Sequence, residues 1–453
     1  MRSSSTCLVV ILFSVPLYAA SPTSPDQNKT QIAEVVHEIS AKNIEATIRK
    51  LVSFGTRHTL SETASKTRGI GAAREWIQSE FARYSSDSGG RLQVTMDEFT
   101  QPPGPRNPQA VQVVNVVATL LGSQPESRDR IYVVSGHYDS RVSDVMNATA
   151  DAPGADDDAS GVAAVMEMAR VMSKRNWDAT LVFIAVAGEE QGLFGSTHWA
   201  KMAKEKNWNV AGMITNDIIG SSRAEDGHSD KSHVRLFAEG VPPLRENPNE
   251  LRTLLRTGGE NDSPARELAR FIKSVAEKNV PGMTVNVIYR RDRYLRGGDH
   301  SPFLDAGFPA VRMTEPNEDF RHQHQDLRKE GDVQFGDLPE FCDFDYIAQI
   351  ARVNAAALGT LALAPASPRN VQVETKQLTN STTLTWPANN EPDLAGYEIV
   401  WRDTTAPDWQ HVSPAGNVTR FTSPISKDNI IFGVRAVDKD GNASPAVYPL
   451  PAK

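Results

Sequence analysis

Apolar residues near the start of the chain recur with a helical period. In "QIAEVVHEISAKNIEATIRKLVSFGTRHT" they fall at Ile32, Val35, Val36 and Ile39, then at Ile44, Ile48 and Leu51, which sets each group along one face of a helix. "TRGIGAAREWIQSEFARY" repeats the pattern with Ile70, Ala73, Ile77, Phe81 and Tyr84. Beyond it, short unbroken apolar runs take turns with helical patterns. "VVNVVATLLG", "RIYVVSGHYDS", "ATLVFIAVAGEE" and "VAGMITNDIIG" leave little polar face for water and predict strands covered on both sides. "GVAAVMEMARVMSK" and "PARELARFIKSVAEK" predict helices. The alternation implies an α/β fold, a mostly buried mixed sheet with helices on both faces.

Two stretches depart from this pattern. Residues 221–264 are polar, with several Gly and Pro and weak periodicity, and are expected to form an insertion or surface excursion outside the core. After "LALAPASPRN" (361–370) the helical patterns stop. "RNVQVET", "STTLTWP", "AGYEIVWRD", "RFTSP" and "IIFGVRAVDKDGNAS" predict short strands at the spacing of a small β-sandwich. The expected boundaries are 21–364 for the α/β part and 365–453 for the all-β part. Trp386, Tyr397 and the closing "FGVRAVDKDGNAS" resemble a fibronectin type III module. That resemblance implies a spacer, or an accessory that contacts a surface or polymer.

Residues 1–20 place Arg2 ahead of an apolar stretch from Cys7 to Leu17 and end on Ala19 and Ala20. This reads as a signal peptide, too short for a membrane span, and predicts a secreted or periplasmic protein. No later run reaches the ~20 apolar residues of a membrane helix. With Cys7 removed, Cys342 stands alone and no intramolecular disulfide can form. The 453 residues carry a net charge of −8. Without any long Lys/Arg run, that balance speaks against nucleic-acid partners.

The predicted strands end on residues that can bind metal. "YVVSGHYDS" ends with His137 and Asp139, "FIAVAGEE" with Glu189 and Glu190, and "MITND" with Asp217. The triple aspartate of "PGADDDASG" follows His137 by about twenty residues and opens the next helix. In open α/β sheets the carboxyl ends of the strands form the natural crevice for a site, so these groups are expected to converge. "DHSPFLDAGFPAVRMTEPNEDFRHQHQD" adds His300, His322 and His324. Carboxylates with two or three histidines suit catalytic zinc. Asp157, Glu190 and Asp217 would repel one another in a cleft, and no Lys or Arg lies within "YVVSGHYDS", "PGADDDASG", "FIAVAGEE" or "MITND" to offset them. Two divalent cations would.

With these motifs in order, the chain resembles metallopeptidase family 28, co-catalytic dizinc aminopeptidases and related carboxypeptidases. The resemblance spans about residues 30–360 and rests on "SGHYDS", "PGADDDASGVAAVMEMAR", "AGEEQGLFGS", the "ND" after a strand, and "GGDHSPFLDAGFPA". It implies two Zn2+ per chain. His137 and Asp217 would hold one, Glu190 and a C-terminal histidine the other, and Asp157 would bridge them. The last ligand is read as His324, with His322 the alternative. Asp156 and Asp158 would shape the turn or face solvent, and a cis peptide is expected after Asp157. Glu189 would be the general base, and Asp139 would orient His137. The implied substrates are peptides, attacked at the N-terminus. A carboxypeptidase, a glutaminyl-cyclase-like enzyme and a non-catalytic binding protein on the same fold are the alternatives.

Overall fold

A computed structural model describes residues 27–241 and 248–452. The expected signal peptide, residues 1–20, lies outside them. Three helices come first among the described residues, α1 (Gln27–Glu38), α2 (Ala41–Val52) and α3 (Gly69–Asp87). Strands β1 (Leu92–Gln101), β2 (Val111–Leu120) and β3 (Arg130–His137) follow, then α4 (Ala159–Met172), β4 (Thr180–Val186), α5 (Glu189–Gly192) and α6 (Phe194–Glu205). Next come β5 (Asn209–Asn216), β6 (His233–Ala238), α7 (Pro248–Arg256), α8 (Pro264–Asn279), β7 (Thr284–Ile288), α9 (His300–Ala306) and β8 (Ala310–Thr314). A small hairpin, β9 (Arg328–Glu330) and β10 (Val333–Phe335), precedes the long helix α10 (Phe344–Leu363).

The first eight strands make one mixed sheet in the order β1-β2-β4-β3-β5-β8-β6-β7. Its middle strands β4, β3, β5 and β8 run parallel. All seven positions of β4 are buried, as an unbroken apolar run requires. Successive side chains point to opposite faces of a strand. Tyr132, Val134 and Phe183 accordingly join one apolar cluster with Val162 and Met166 of α4 and Ile350 of α10. Val133, Val182 and Ile184 join another with Trp199 of α6 and Phe303 of α9. Helices therefore cover both faces, and β3, β4, β5 and β8 all release their carboxyl ends along one rim.

One expectation is corrected. Residues 221–264 do not stay outside the core, because β6 lies within them, between β8 and β7 in the sheet. Val234, Leu236, Phe237 and Ala238 are buried. Arg235 interrupts this short apolar run and hides its period; its guanidinium reaches the rim, bonding the Glu315 carbonyl at 2.7 Å and Glu318 at 2.9 Å.

Seven short strands complete the chain: β11 (Gln372–Val373), β12 (Thr382–Thr385), β13 (Leu394–Asp403), β14 (His411–Gly416), β15 (Arg420–Ser423), β16 (Ile430–Asp438) and β17 (Leu450–Pro451). They form two sheets, β15-β12-β11-β17 and β14-β13-β16. Trp386 meets Tyr397 edge-on at 5.2 Å in a shared core with Leu384, Ile399 and Phe432. Among the described residues, no helix is long and apolar enough to cross a membrane.

Candidate metal centre

Strand β3 delivers His137 to the rim, and two glycines decide how closely α4 can follow. A Cβ on Gly136 would stand 2.5 Å from the Gly161 carbonyl carbon, and one on Gly161 would stand 2.2 Å from the Asn216 carbonyl oxygen. The first turn of α4 is thereby wedged between the ends of β3 and β5. Asp158 caps that turn, accepting from Gly161 N at 3.0 Å, and its other oxygen accepts from His137 N at 2.9 Å. Asp156 accepts from Gly220 N at 2.6 Å. Asp158 is fully buried and Asp156 partly so, so both flanking aspartates shape the turn and the solvent-facing alternative falls away for Asp158. The Asp157–Asp158 peptide is cis. Two residues outside the motifs hold this loop. Asp337 accepts the N–H groups of Asp156 and Asp157 at 2.8 Å each. The fully buried Arg57 donates to the carbonyls of Tyr138, Pro153 and Gly154.

Beyond β4 the chain turns sharply into α5, with Gly188 at φ 77° and Leu193 at φ 58° bounding its single turn. The Asp139 carboxylate organises this elbow. It accepts from Glu189 N at 3.3 Å, Glu190 N at 3.2 Å and the Thr59 hydroxyl at 2.8 Å. His137 Nδ1 lies 3.1 Å from the backbone carbonyl of Asp139 but 3.6 Å from its carboxylate. Asp139 thus supports the imidazole mainly through its main chain, while its side chain sets the two glutamates.

Two groups of ligand atoms converge. His137, Asp157 and Asp217 form one, Asp157, Glu190 and His324 the other, each with its atoms within 4.8 Å of one another. Asp157 belongs to both: its Oδ1 is 3.1 Å from His137 Nε2 and its Oδ2 is 2.8 Å from His324 Nε2. Against the cost of burial, His324 and His137 hold the Asp157 carboxyl well below its usual range. Three carboxylates and two imidazoles converging on a shared Asp157 form a donor set that fits divalent metal.

The charge balance read from the motifs needs correction, because two arginines do reach the cluster. Arg312 contacts Asp217 Oδ1 at 2.7 Å, and Arg141 contacts Glu190 Oε2 at 2.9 Å. Both carried a signal. Arg312 is a charge inside the apolar strand "AVRMT", and Arg141 directly follows "HYDS". Asp337 carried none, whereas Arg57 lies in "LVSFGTRHT", a segment near the start that resembles the family's N-terminal part. The other histidines lie elsewhere. His300 is buried with its Nε2 2.9 Å from the Arg291 carbonyl, and His322 stacks on Phe341 at 3.6 Å. Glu189 and Asp299 line the cluster without joining either group. Burial pushes Glu189 well above the usual carboxyl range and Asp299 up to about 7. The basic stretch "YRRDRYLRGGDH" is largely neutralised at home, with Arg293 and Arg296 each 3.0 Å from Glu318 and Arg291 2.7 Å from Asp305.

Comparison with known proteins agrees with this geometry. Peptidase family M28 matches residues 115–332. A probable zinc metalloprotease of Leptosphaeria maculans is 54% identical over 93% of this chain and 97% of its own. One from Pyricularia oryzae is 52% identical over 91% and 83%. Among solved structures, the LapA aminopeptidase of Legionella pneumophila superposes with a TM-score of 0.52 at 17% identity, over 76% of this chain and 78% of that one. A glutaminyl cyclase of Macrostomum lignano gives 0.51 at 14% identity, over 78% and 97%. At such identities these two structures speak for the fold alone.

Proposed function

The chain belongs to peptidase family M28, and on that premise we propose that it is an exported zinc-dependent aminopeptidase with two Zn2+ per chain. The observation that carries this reading is Asp157, whose two oxygens serve two separate donor groups. His137 and Asp217 would hold one ion, Glu190 and His324 the other, with Asp157 shared. Such a pair supplies Lewis acidity toward the scissile carbonyl and acidifies water beside it.

The rest is work for the chain's own groups. Glu189 takes the proton of the attacking water and passes it to the leaving amine. Burial raises its proton affinity, which suits a group that takes up a proton and then passes it on. Asp139 keeps Glu189 and Glu190 in register by holding both of their N–H groups. Asp299, a carboxyl beside the cluster that neither donor group uses, suits a free α-ammonium better than a C-terminal carboxylate.

Mass spectrometry of peptides incubated with the zinc-loaded protein tests the reading, each peptide offered free and N-acetylated. Stepwise loss of residues from free N-termini, blocked by acetylation, is expected. Loss from C-termini would assign a carboxypeptidase instead. Loss of ammonia alone from N-terminal Gln would assign a cyclase, and an unchanged mixture from a protein holding two zincs would assign a binding protein.

A further inference from the structure

The two donor groups differ in what stands behind their histidines. His137 Nδ1 faces acceptors, the Asp139 carbonyl at 3.1 Å and the Asp139 carboxylate at 3.6 Å. His324 Nδ1 faces Arg141 Nη2 at 2.5 Å. An imidazole that ligates through Nε2 carries its proton on Nδ1 and donates it to a carboxylate, a carbonyl or water. A guanidinium has five donors and no acceptor. At His324, ligation would therefore set two donors against each other.

Arg141 also takes part of the carboxylate. Its Nε lies 2.9 Å from Glu190 Oε2, which leaves Oε1 to face His324 Nε2 at 3.0 Å. The other arginine behaves differently. Arg312 touches Asp217 Oδ1 but no imidazole, and it is fully buried and tied down by the Gly297 carbonyl at 2.6 Å and Asp292 at 3.2 Å. Among the described residues, Arg141 has only the Val142 carbonyl at 3.3 Å as a hold outside the cluster, and its side chain is 18% exposed. It can swing outward where Arg312 cannot.

We propose that Arg141 is a latch on the Asp157–Glu190–His324 half of the centre, so that the two halves take up metal unequally. The His137–Asp157–Asp217 half fills first and tightly, and the other fills only when the guanidinium leaves His324 Nδ1. Arg141 is thus a positioning residue that acts through Glu190 and His324. The inference rests on the two-metal reading.

Zinc titration of the full, chelator-treated chain against a chromophoric competitor reads this out independently of activity. The wild type should show two classes of site. Arg141→Gln, whose amide oxygen can accept from Nδ1–H, should tighten the weaker class at least tenfold and leave the tighter one within twofold. Arg141→Lys, a donor only, should stay close to wild type. In the otherwise unaltered chain, His324→Ala should abolish the weaker class and His137→Ala the tighter. An unchanged or weakened second class in Arg141→Gln, equal gains in the Gln and Lys variants, or two equally tight sites in the wild type would each overturn the latch while leaving two metals in place. A single ion in the wild type and in Arg141→Gln alike would overturn the two-metal reading and the latch with it.

Discussion

Glu189 and Glu190 are neighbours in sequence with different work to do. Glu190 has both oxygens committed, one toward Arg141 and the other toward His324. Glu189 joins neither donor group, and burial raises its proton affinity, with Asp217, Glu190 and Asp299 adding to the rise while His137 opposes it. A carboxyl with that freedom can carry a proton; one pinned by a guanidinium and an imidazole cannot. Glu189→Gln keeps the shape and removes the charge, so it should lower kcat by ~10²–10⁴-fold, the usual worth of a general base. KM and zinc content should stay near wild type, because the main-chain bonds to Asp139 survive the change. Steady-state kinetics beside elemental analysis checks both halves. A variant that lost its zinc as well would show Glu189 to be part of the ligand scaffold instead.

At the scale of elements, the centre depends on how tightly α4 sits against the ends of β3 and β5. Gly161→Ala should cost ~1–3 kcal/mol, since the new methyl meets the Asn216 carbonyl oxygen at 2.2 Å and the Asp158 carboxylate that caps the helix at 2.6 Å. It should also reduce zinc content, because α4 carries the cap Asp158, which bonds the His137 N–H. Thermal melting of chelator-treated protein separates the two effects. The same elements show what could be read from sequence. β3, β4, β5 and α4 were legible because their apolar runs are long and end on ligand-type side chains. β1 was missed because, at the sheet edge, it alternates half-buried and exposed positions in "LQVTMDEFTQ". β6 was missed because Arg235 splits its short run. Sequence spacing could not separate His322 from His324; stacking on Phe341, which takes His322 away from the cluster, exists only in three dimensions. Arg141 and Arg312 were visible as letters, but their partners lie 49 and 95 residues away.

For the whole molecule, the C-terminal sheets are bolted to α8 and do not merely trail behind it. Arg402 of β13 holds both oxygens of Asp262 at 2.8 Å, Arg270 reaches Asp262 at 2.9 Å, and Trp409 donates to Glu267 at 2.9 Å, with the charged groups all buried. Elsewhere the same junction repels. Asp178 sits partly buried before β4, and burial, then Asp393 and Asp438 of the C-terminal part, push its carboxyl up to about 6, with Arg130 opposing. A free aspartate ionises near pH 3.9. The folded chain therefore keeps a proton that the unfolded chain has released, and stability falls as pH rises through about 4 to 6. Above that window the cost is complete. Two pKa units correspond to ~3 kcal/mol, which solvent screening at this half-open site cuts to ~1. Asp178→Asn removes the ionisation, so it should raise the melting temperature by ~1–3 °C at pH 8 and hardly at all at pH 4.5. Paired melts at the two pH values decide it. An equal gain at both would place the effect in packing, and no gain at pH 8 would mean that the charges at this junction are already screened.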